Sequence, residues 1–160
     1  MRLVTIGAYG FNEAGFLKAL VEEGVDTFID VRQRRGVRGS KYAFVNSKRL
    51  QRLLGDAGIA YVHLKHLAPT TEVRDVQRRA DVHGGTGKRD RRFLSQAFVE
   101  AYRGACLSGF EPEEFIAGLG PSVEVAALFC VEGHPRACHR SILSDELSQA
   151  LDLEVRHITP

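Results

Sequence analysis

Cysteine is scarce in this chain of 160 residues, and no long hydrophobic run is present. Three cysteines, an odd number, argue against a disulfide framework and suit a reducing compartment. The longest apolar run, Val123–Val131, contains Glu124 and is far too short to cross a bilayer. Met1–Leu3 leads directly into an apolar run, without the layout of a signal peptide. We therefore expect a cytoplasmic protein that has no membrane partner.

The sequence also lacks internal repeats and low-complexity segments. Apolar residues make up 44% of the chain, which is enough to bury a hydrophobic core. A length of 160 residues is typical of one folding unit. These features predict a single domain over residues 1–160.

Strand-like and helix-like segments alternate along most of the chain. The predicted strands are Arg2–Ile6, Val25–Val31, Ile59–Leu64, Val123–Val131 and Leu153–Ile158. The predicted helices cover residues 13–23, 47–57, 91–107, 112–119 and 138–151. This alternation favours a three-layer α/β domain, with a mostly parallel sheet of about five strands and helices on both faces.

The segment 65–90 interrupts the alternation because it shows no clear period. We expect an irregular excursion there, with a short helical piece at 73–79 and a mobile, basic stretch at 81–90. Gly84–Lys88 resembles a phosphate-binding glycine loop. However, Val82 stands where that motif needs glycine, and Arg89 stands where it needs serine or threonine.

The net charge of +2 hides an uneven distribution along the chain. Residues 1–92 hold 18 Lys and Arg against 10 Asp and Glu, whereas residues 93–160 hold 4 against 10. Residues 32–52 are the extreme case, with eight basic side chains and no acidic one. The positive potential around such a segment favours a phosphate, nucleotide or nucleic-acid ligand. The alternative is a basic surface that contacts only solvent.

Polar and ionisable residues follow several of the predicted strands. In an open parallel sheet, ligands bind beyond the carboxyl ends of the strands, so these residues define a candidate site. The catalytic candidates are Asp30, Glu132, Cys138 and His139. The candidate ligand-binding residues are Gly7, Tyr9, Arg32, Arg38, Lys41, His63 and Arg140.

The segment Cys130–Ser141 is the most specific of these features. A buried strand ends there, a Gly/Pro loop turns, and a helix begins whose free N–H groups attract anions. Arg140 is unfavourable in that first turn unless it reaches an anion or a carboxylate, such as Glu132 or Asp30. The alternative is a buried ion pair that joins two strand ends, formed by Asp30 with Arg140 or with Arg32.

The cysteines of this segment allow several interpretations. Cys138 beside His139 is a candidate thiol of lowered pKa, and the alternative is a small buried cysteine at a helix cap. Cys130 and Arg136 have the spacing of phosphate-binding cysteine loops, but Cys130 falls within an apolar run. No metal or cofactor is predicted, because metal-ligand spacings are lacking and adjacent Cys and His on a helix point in different directions.

Seven short segments together resemble the pattern of a known family. They are Thr5–Gly7, Ile29–Arg32, Tyr61-x-His63-Leu64, Leu67–Pro69, Cys130-x-Glu132, Cys138–Arg140 and His157-Ile158. On these motifs the chain resembles the domain-of-unknown-function 488 family from about residue 3 to residue 158. The resemblance implies a single α/β domain without a settled activity. It also implies a site built from Asp30, Arg32, Glu132, Cys138, His139 and Arg140.

Three functions stay open at this point. The favoured one is binding or processing of a phosphorylated small molecule, nucleotide or nucleic acid at the carboxyl edge of the sheet. The second is a nucleic-acid-binding module without catalysis, based on the basic segments 32–52 and 74–92. The third is a thiol-dependent transferase that resembles rhodanese and requires a thiolate at Cys138.

Overall fold

One five-stranded sheet forms the centre of the molecule. The structure is a computed structural model that describes residues 1–87 and 90–160. The strands are β1 (Arg2–Gly7), β2 (Thr27–Asp30), β3 (Ala60–His63), β4 (Val125–Cys130) and β5 (Val155–Ile158). They lie in the order β3-β2-β4-β1-β5, and each neighbouring pair is parallel. The predicted five-stranded sheet is confirmed, and its pairing is parallel throughout.

Helices cover both faces of this sheet, as the sequence predicted. They are α1 (Glu13–Glu22), α2 (Ser47–Asp56), α3 (Thr71–His83), α4 (Gln96–Cys106), α5 (Pro112–Leu119) and α6 (His139–Leu151). Short 3-10 turns occur at Ala43–Val45, Lys65–Leu67 and Pro135–Ala137. On one face, Phe16 of α1 and Leu50 of α2 pack in a core cluster with Phe28 and Phe129. On the other face, residues of α6 pack with Leu3 and Leu128.

The central strand β4 shows why its sequence reads as a continuous apolar run. All six of its residues are buried. Ala127 and Phe129 belong to the cluster that contains α1 and α2, whereas Ala126 and Leu128 belong to the cluster that contains α6. A strand buried on both faces needs apolar side chains at every position, so the alternation of a half-exposed strand is missing.

The order of the strands creates a crevice above β4. The chain passes from β1 to β2 through α1 and from β2 to β3 through α2, towards one edge of the sheet. It then returns to β4 and continues through α6 to β5, in the opposite direction. Because crossovers between parallel strands are right-handed, α6 lies on the face opposite to α1 and α2. The loops after β1 and β4 therefore lead to opposite faces of the sheet, and in open parallel sheets ligands bind at such a position.

The segment 65–90 is more regular than predicted, and this expectation is corrected. Helix α3 extends over 13 residues, and its N–H group at Val73 is capped by the side chain of Thr70 at 3.3 Å. Only Val73 and Gln77 of this helix are buried, so no apolar period marks it in the sequence. The mobile stretch predicted at 81–90 includes residues 88 and 89, which lie outside the described residues.

The helix predicted over 91–107 begins later, at Gln96. Ser95 ends the preceding loop, because its side chain accepts a hydrogen bond from the N–H of Phe98 at 3.1 Å. Phe93 therefore precedes the helix, and it is 61% exposed. Among the residues that the structure describes, no helix has the length and apolar character needed to span a bilayer.

Candidate functional site

A cavity of about 730 Å³ lies beyond the carboxyl ends of β2 and β4. This volume is within the usual range for small-molecule sites. Its wall includes residues 32–34, 36–38, 130–132 and 137–139, together with Tyr9 and one side of α3. The loop after β2 and the start of α6 are direct neighbours, because Nε2 of His139 lies 3.0 Å from the carbonyl oxygen of Val31.

A buried ion pair orients Arg32 at the end of β2. Nε of Arg32 donates to Oδ1 of Asp30 at 2.9 Å, and Nη2 donates to Oδ2 at 2.7 Å. Asp30 also accepts hydrogen bonds from the backbone N–H of Arg32 at 3.0 Å and from the hydroxyl of Tyr61 at 2.7 Å. Asp30 is completely buried and lies outside the cavity wall. It positions Arg32, and its carboxylate is already occupied by these donors.

Arg32 keeps one donor group without an acceptor. It is 3% exposed and lines the cavity, and its Nη1 has no hydrogen-bond partner within the described part of the chain. Its guanidinium lies 4.7 Å from the centroid of the Phe129 ring, which fixes the plane of the group. Nε2 of His63 lies 2.8 Å from the carbonyl oxygen of Arg32 and holds the backbone at this point. A buried donor of this kind is satisfied by a ligand oxygen or a water molecule.

Tyr61 supports the ion pair from the neighbouring strand β3. Burial raises the pKa of Tyr61, the Asp30 carboxylate raises it further, and Arg35 acts in the opposite direction. The hydroxyl of Tyr61 therefore keeps its proton and donates it to Asp30 at 2.7 Å. Tyr61 was not among the predicted site residues, although it belongs to the motif Tyr61-x-His63-Leu64.

Cys138 and His139 converge at the start of α6, and the expectation that they point apart is wrong. Cys138 is the N-cap residue and has extended backbone angles, φ −138° and ψ 142°, so helical geometry does not apply to it. Sγ of Cys138 lies 3.8 Å from Nδ1 of His139. The ligand atoms of Cys130, Cys138 and His139 all lie within 4.8 Å of one another, and all three residues line the cavity. Two sulfurs and one imidazole nitrogen are donor types that a zinc-class ion accepts.

The two buried cysteines are unequal in acidity. Burial alone raises the pKa of Cys138, but a hydrogen bond from Cys130 and the charges of His139 and Arg140 hold it well below the usual value of 9.0. The pKa of Cys130 is well above 9.0, because its thiol donates to Cys138 and because it is buried. Together these shifts place the thiolate on Cys138 and the remaining proton on Cys130. The predicted thiol of lowered pKa is supported by this arrangement.

Arg140 reaches neither a carboxylate nor the cavity. It is completely buried, and it donates from Nη1 to the carbonyl oxygen of Glu132 at 2.6 Å and from Nη2 to that of Gly133 at 3.1 Å. The alternative pair of Asp30 with Arg140 is therefore not formed. Gly7 explains the close packing here, because a Cβ at this position would lie 1.9 Å from the Glu132 carbonyl oxygen. Arg140 and Gly7 thus determine the path of the loop after β4.

The remaining predicted residues divide between the cavity and its surroundings. Tyr9, Arg38 and Glu132 line the cavity. Lys41 is exposed, and its Nζ lies 5.3 Å from the Tyr42 ring, so it belongs to the outer surface. Of the candidates on described residues, those outside the wall are Gly7, Asp30, Lys41, His63 and Arg140.

Residues of α3 and of the loop before α4 were not among the predicted site residues, although the basic segment 74–92 was noted. Arg74, Gln77 and Arg78 of α3 line the cavity, as does Arg91. Arg91 donates to Asp81 at 2.7 Å and lies 3.8 Å from a carboxylate oxygen of Glu132, so it connects α3 to the loop after β4. The available signal was the spacing of arginines 74 and 78, which places both on one side of a helix.

Comparison with known proteins shows the family of this chain. No curated protein and no solved structure matches the chain. Residues 14–147 match the family described as Domain of unknown function DUF488. This match spans most of the chain and includes the loop after β2, helix α3 and the Cys138–Arg140 turn. The chain therefore belongs to the DUF488 family.

Proposed function

We propose that this protein binds a phosphorylated small molecule, of about the size of a nucleotide, in the cavity between Arg32 and the start of α6. The observation that carries the proposal is the buried Nη1 of Arg32, which has no partner in the described structure although Asp30 fixes the rest of the guanidinium. A planar guanidinium held in this way is suited to a phosphate oxygen.

The charge of the cavity wall supports an anionic ligand. Six arginines line the cavity, against three carboxylates. All three carboxylates are paired with arginines of the wall, Asp75 with Arg78 at 3.1 Å, Asp81 with Arg91 at 2.7 Å and Glu132 with Arg91 at 3.8 Å. The excess positive charge attracts phosphate and raises its rate of association. The lining arginines are Arg32, Arg34, Arg38, Arg74, Arg78 and Arg91.

The shape of the site favours a small ligand over a nucleic-acid duplex. The basic residues meet in a concave cavity that α3 covers on one side. By contrast, Lys48, Arg49 and Arg52 of α2 lie around a separate, shallower depression. A duplex would need an exposed basic stripe, whereas a nucleotide-sized ligand fits within about 730 Å³.

Cys138 and His139 would place two reactive groups beside the bound ligand. Both residues line the same cavity as Arg32, and Cys138 is only 2% exposed. A phosphate held at Arg32 would therefore lie in a site that also contains a thiolate and an imidazole. This combination supports a role in processing the ligand, beyond its capture.

Isothermal titration calorimetry with pyrophosphate and a nucleoside diphosphate tests the proposal. Arg74→Met removes a cation from the cavity wall, and Arg79→Met removes an exposed cation from the same helix outside the wall. We expect one site per chain. Loss of one charge-assisted hydrogen bond should weaken binding roughly 10-fold or more in R74M and leave R79M unchanged.

A further variant tests Arg32 itself while keeping the buried charge. Arg32→Lys retains a cation opposite Asp30 but loses the planar fork, so phosphate affinity should also fall about 10-fold or more. The nucleoside without phosphate should not bind. Equal weakening in R74M and R79M would show that binding is a property of the general basic surface. That result, or an absence of binding at low salt, contradicts the proposal.

A further inference from the structure

Three soft or borderline ligand atoms meet at one point beneath the cavity. Cys130 is the last residue of β4, and Cys138 and His139 cap and begin α6. Their ligand atoms lie within 4.8 Å of one another, and Sγ of Cys138 lies 3.8 Å from Nδ1 of His139. In a tetrahedral zinc site with sulfur and nitrogen ligands, neighbouring ligand atoms are about 3.6–3.8 Å apart. Small side-chain adjustments therefore bring the three atoms to coordination distance.

The orientation of His139 matches that of a metal ligand. Its Nε2 lies 3.0 Å from the carbonyl oxygen of Val31, which only accepts hydrogen bonds, so Nε2 carries the proton. In the neutral imidazole that binds a metal, Nδ1 is then the nitrogen with the lone pair, and it lies on the side of Cys138. Metal-binding histidines commonly donate their second ring N–H to a backbone carbonyl in this way, which fixes both the tautomer and the ring. The main chain of the β2 loop thus holds the imidazole ready for an ion.

The loop between the two cysteines is held in place without a metal. The guanidinium of Arg140 donates to the carbonyl oxygens of Glu132 and Gly133, at 2.6 and 3.1 Å. A preformed loop reduces the ordering that an ion must impose when it binds. Arg140 is also a buried positive charge close to the site. Two thiolates balance the two positive charges of a divalent ion. The occupied site would therefore have no net charge and would not repel the guanidinium of Arg140.

From these contacts we propose that Cys130, Cys138 and His139 bind one divalent ion of the zinc class, with its fourth ligand supplied from the cavity. All three residues line the cavity, so the open position faces the space assigned to the phosphorylated ligand. Three protein ligands and one open position are typical of zinc ions that bind water or substrate, whereas structural zinc sites have four protein ligands. The site would bring a Lewis acid into the cavity that Arg32 lines.

The metal site and the anion site can be tested separately, because the ion needs no residue of α3. The full chain is first prepared in metal-free form with a chelator and a reductant, and is then titrated with Co²⁺. We expect saturation at one ion per chain, with the visible absorption of tetrahedral Co²⁺ and a thiolate-to-cobalt charge-transfer band. Zn²⁺ added afterwards should displace Co²⁺ and abolish both features.

Single variants assign the ligands. Cys138→Ser, Cys130→Ser and His139→Ala should each lower Co²⁺ affinity at least ~100-fold. Cys106→Ser is the matched control, because Cys106 lies in α4 and its Sγ contacts the carbonyl oxygen of Ala68. This variant should bind Co²⁺ as the unmodified chain does. Circular dichroism of each metal-free variant shows whether the fold is retained, and the spectrum of the unmodified chain tests the site without any substitution.

Three results would overturn the metal site. One is the absence of a charge-transfer band in the reduced chain at saturating Co²⁺. Another is a band that C106S removes and C138S does not. The third is a disulfide between Cys130 and Cys138 that persists in the presence of a reductant. Phosphate binding is measured on the metal-free chain with R74M and R79M, so either proposal can fail while the other stands.

Discussion

Arg32 and Asp30 form a two-pronged ion pair at the buried end of β2, with N–O distances of 2.9 and 2.7 Å. Neither side chain is more than 3% exposed. The pair uses Nε and Nη2 of the guanidinium and leaves Nη1 without a partner among residues 1–87 and 90–160. Arg32 therefore forms a structural ion pair and keeps one N–H group without an acceptor, and this is the group that we propose for ligand binding.

Removal of the carboxylate should destabilise the protein strongly. Asp30→Asn leaves the buried Arg32 without its counter-ion, and breaking a buried pair costs about 3–5 kcal/mol. Urea unfolding should show this loss of free energy. In the control Glu13→Gln, an exposed pair with Arg49 is broken, and the change should stay below about 1 kcal/mol. Similar losses in the two variants would show that the Asp30–Arg32 pair has no special role in stability.

Arg140 should prove to be a structural residue rather than a ligand-binding one. Arg140→Met removes two hydrogen bonds to the loop carbonyls of Glu132 and Gly133, which should cost about 3 kcal/mol in the free energy of unfolding. Arg136 lies exposed in the same segment, so Arg136→Met should change stability by less than about 0.5 kcal/mol. If R140M kept its full stability and lost only phosphate binding, the structural role assigned to Arg140 would be wrong.

Gly7 should tolerate no side chain. In Gly7→Ala the new Cβ meets the Glu132 carbonyl oxygen at 1.9 Å, so the loop after β4 must move, at a cost of roughly 1–3 kcal/mol. Gly55 in α2 has open space around it, and Gly55→Ala should stabilise the chain by about 0.5–1 kcal/mol. Thermal unfolding of both variants measures the contrast. A melting temperature of G7A equal to that of the unmodified chain would contradict the close approach.

Alkylation of the metal-free chain should separate Cys138 from Cys106 by its pH dependence. The lowered pKa of Cys138 keeps its thiolate populated at neutral pH, so its iodoacetamide rate should change little between about pH 7 and 9. Burial raises the pKa of Cys106, so its thiol stays largely protonated at neutral pH. Its alkylation rate should therefore rise with pH. Peptide-resolved mass spectrometry follows both sites in one sample. Parallel pH profiles for the two cysteines would show that Cys138 has no thiolate character.

His139 has a defined part in that reactivity. Its charge lowers the pKa of Cys138, so His139→Gln should slow alkylation of Cys138 at neutral pH and restore the rate at higher pH. The rate at Cys106 serves as an internal control, because Cys106 lies in another helix. An unchanged pH profile of Cys138 in this variant would assign the lowered pKa to other groups.

The sheet and the neighbouring loops after β2 and β4 could be predicted because their signals are local. A buried strand such as β4 is a short apolar run, and polar residues follow it. Helix α3 could not be predicted in full, because it buries only Val73 and Gln77 and so carries almost no apolar period. Its arginines line the cavity through tertiary packing, which sequence spacing does not show.

The roles of individual side chains were harder to predict than the site itself. Arg140 was expected to reach an anion or a carboxylate, but its Nη1 and Nη2 donate to backbone carbonyls instead. The convergence of Cys138 and His139 depends on one pair of backbone angles at the N-cap, which cannot be inferred from two adjacent letters. Both cases depend on the backbone geometry of the loop after β4. Sequence patterns do not predict such loop geometry.

A crystal structure of the chain soaked with tungstate, a heavy phosphate analogue, tests the central claim most directly. The account predicts one anomalous peak within hydrogen-bond distance of Arg32, between the loop after β2 and the start of α6. Occupancy of this peak should fall when pyrophosphate is added in competition. Tungstate found only at the shallow depression formed by Lys48, Arg49 and Arg52, with nothing beside Arg32, would contradict the account.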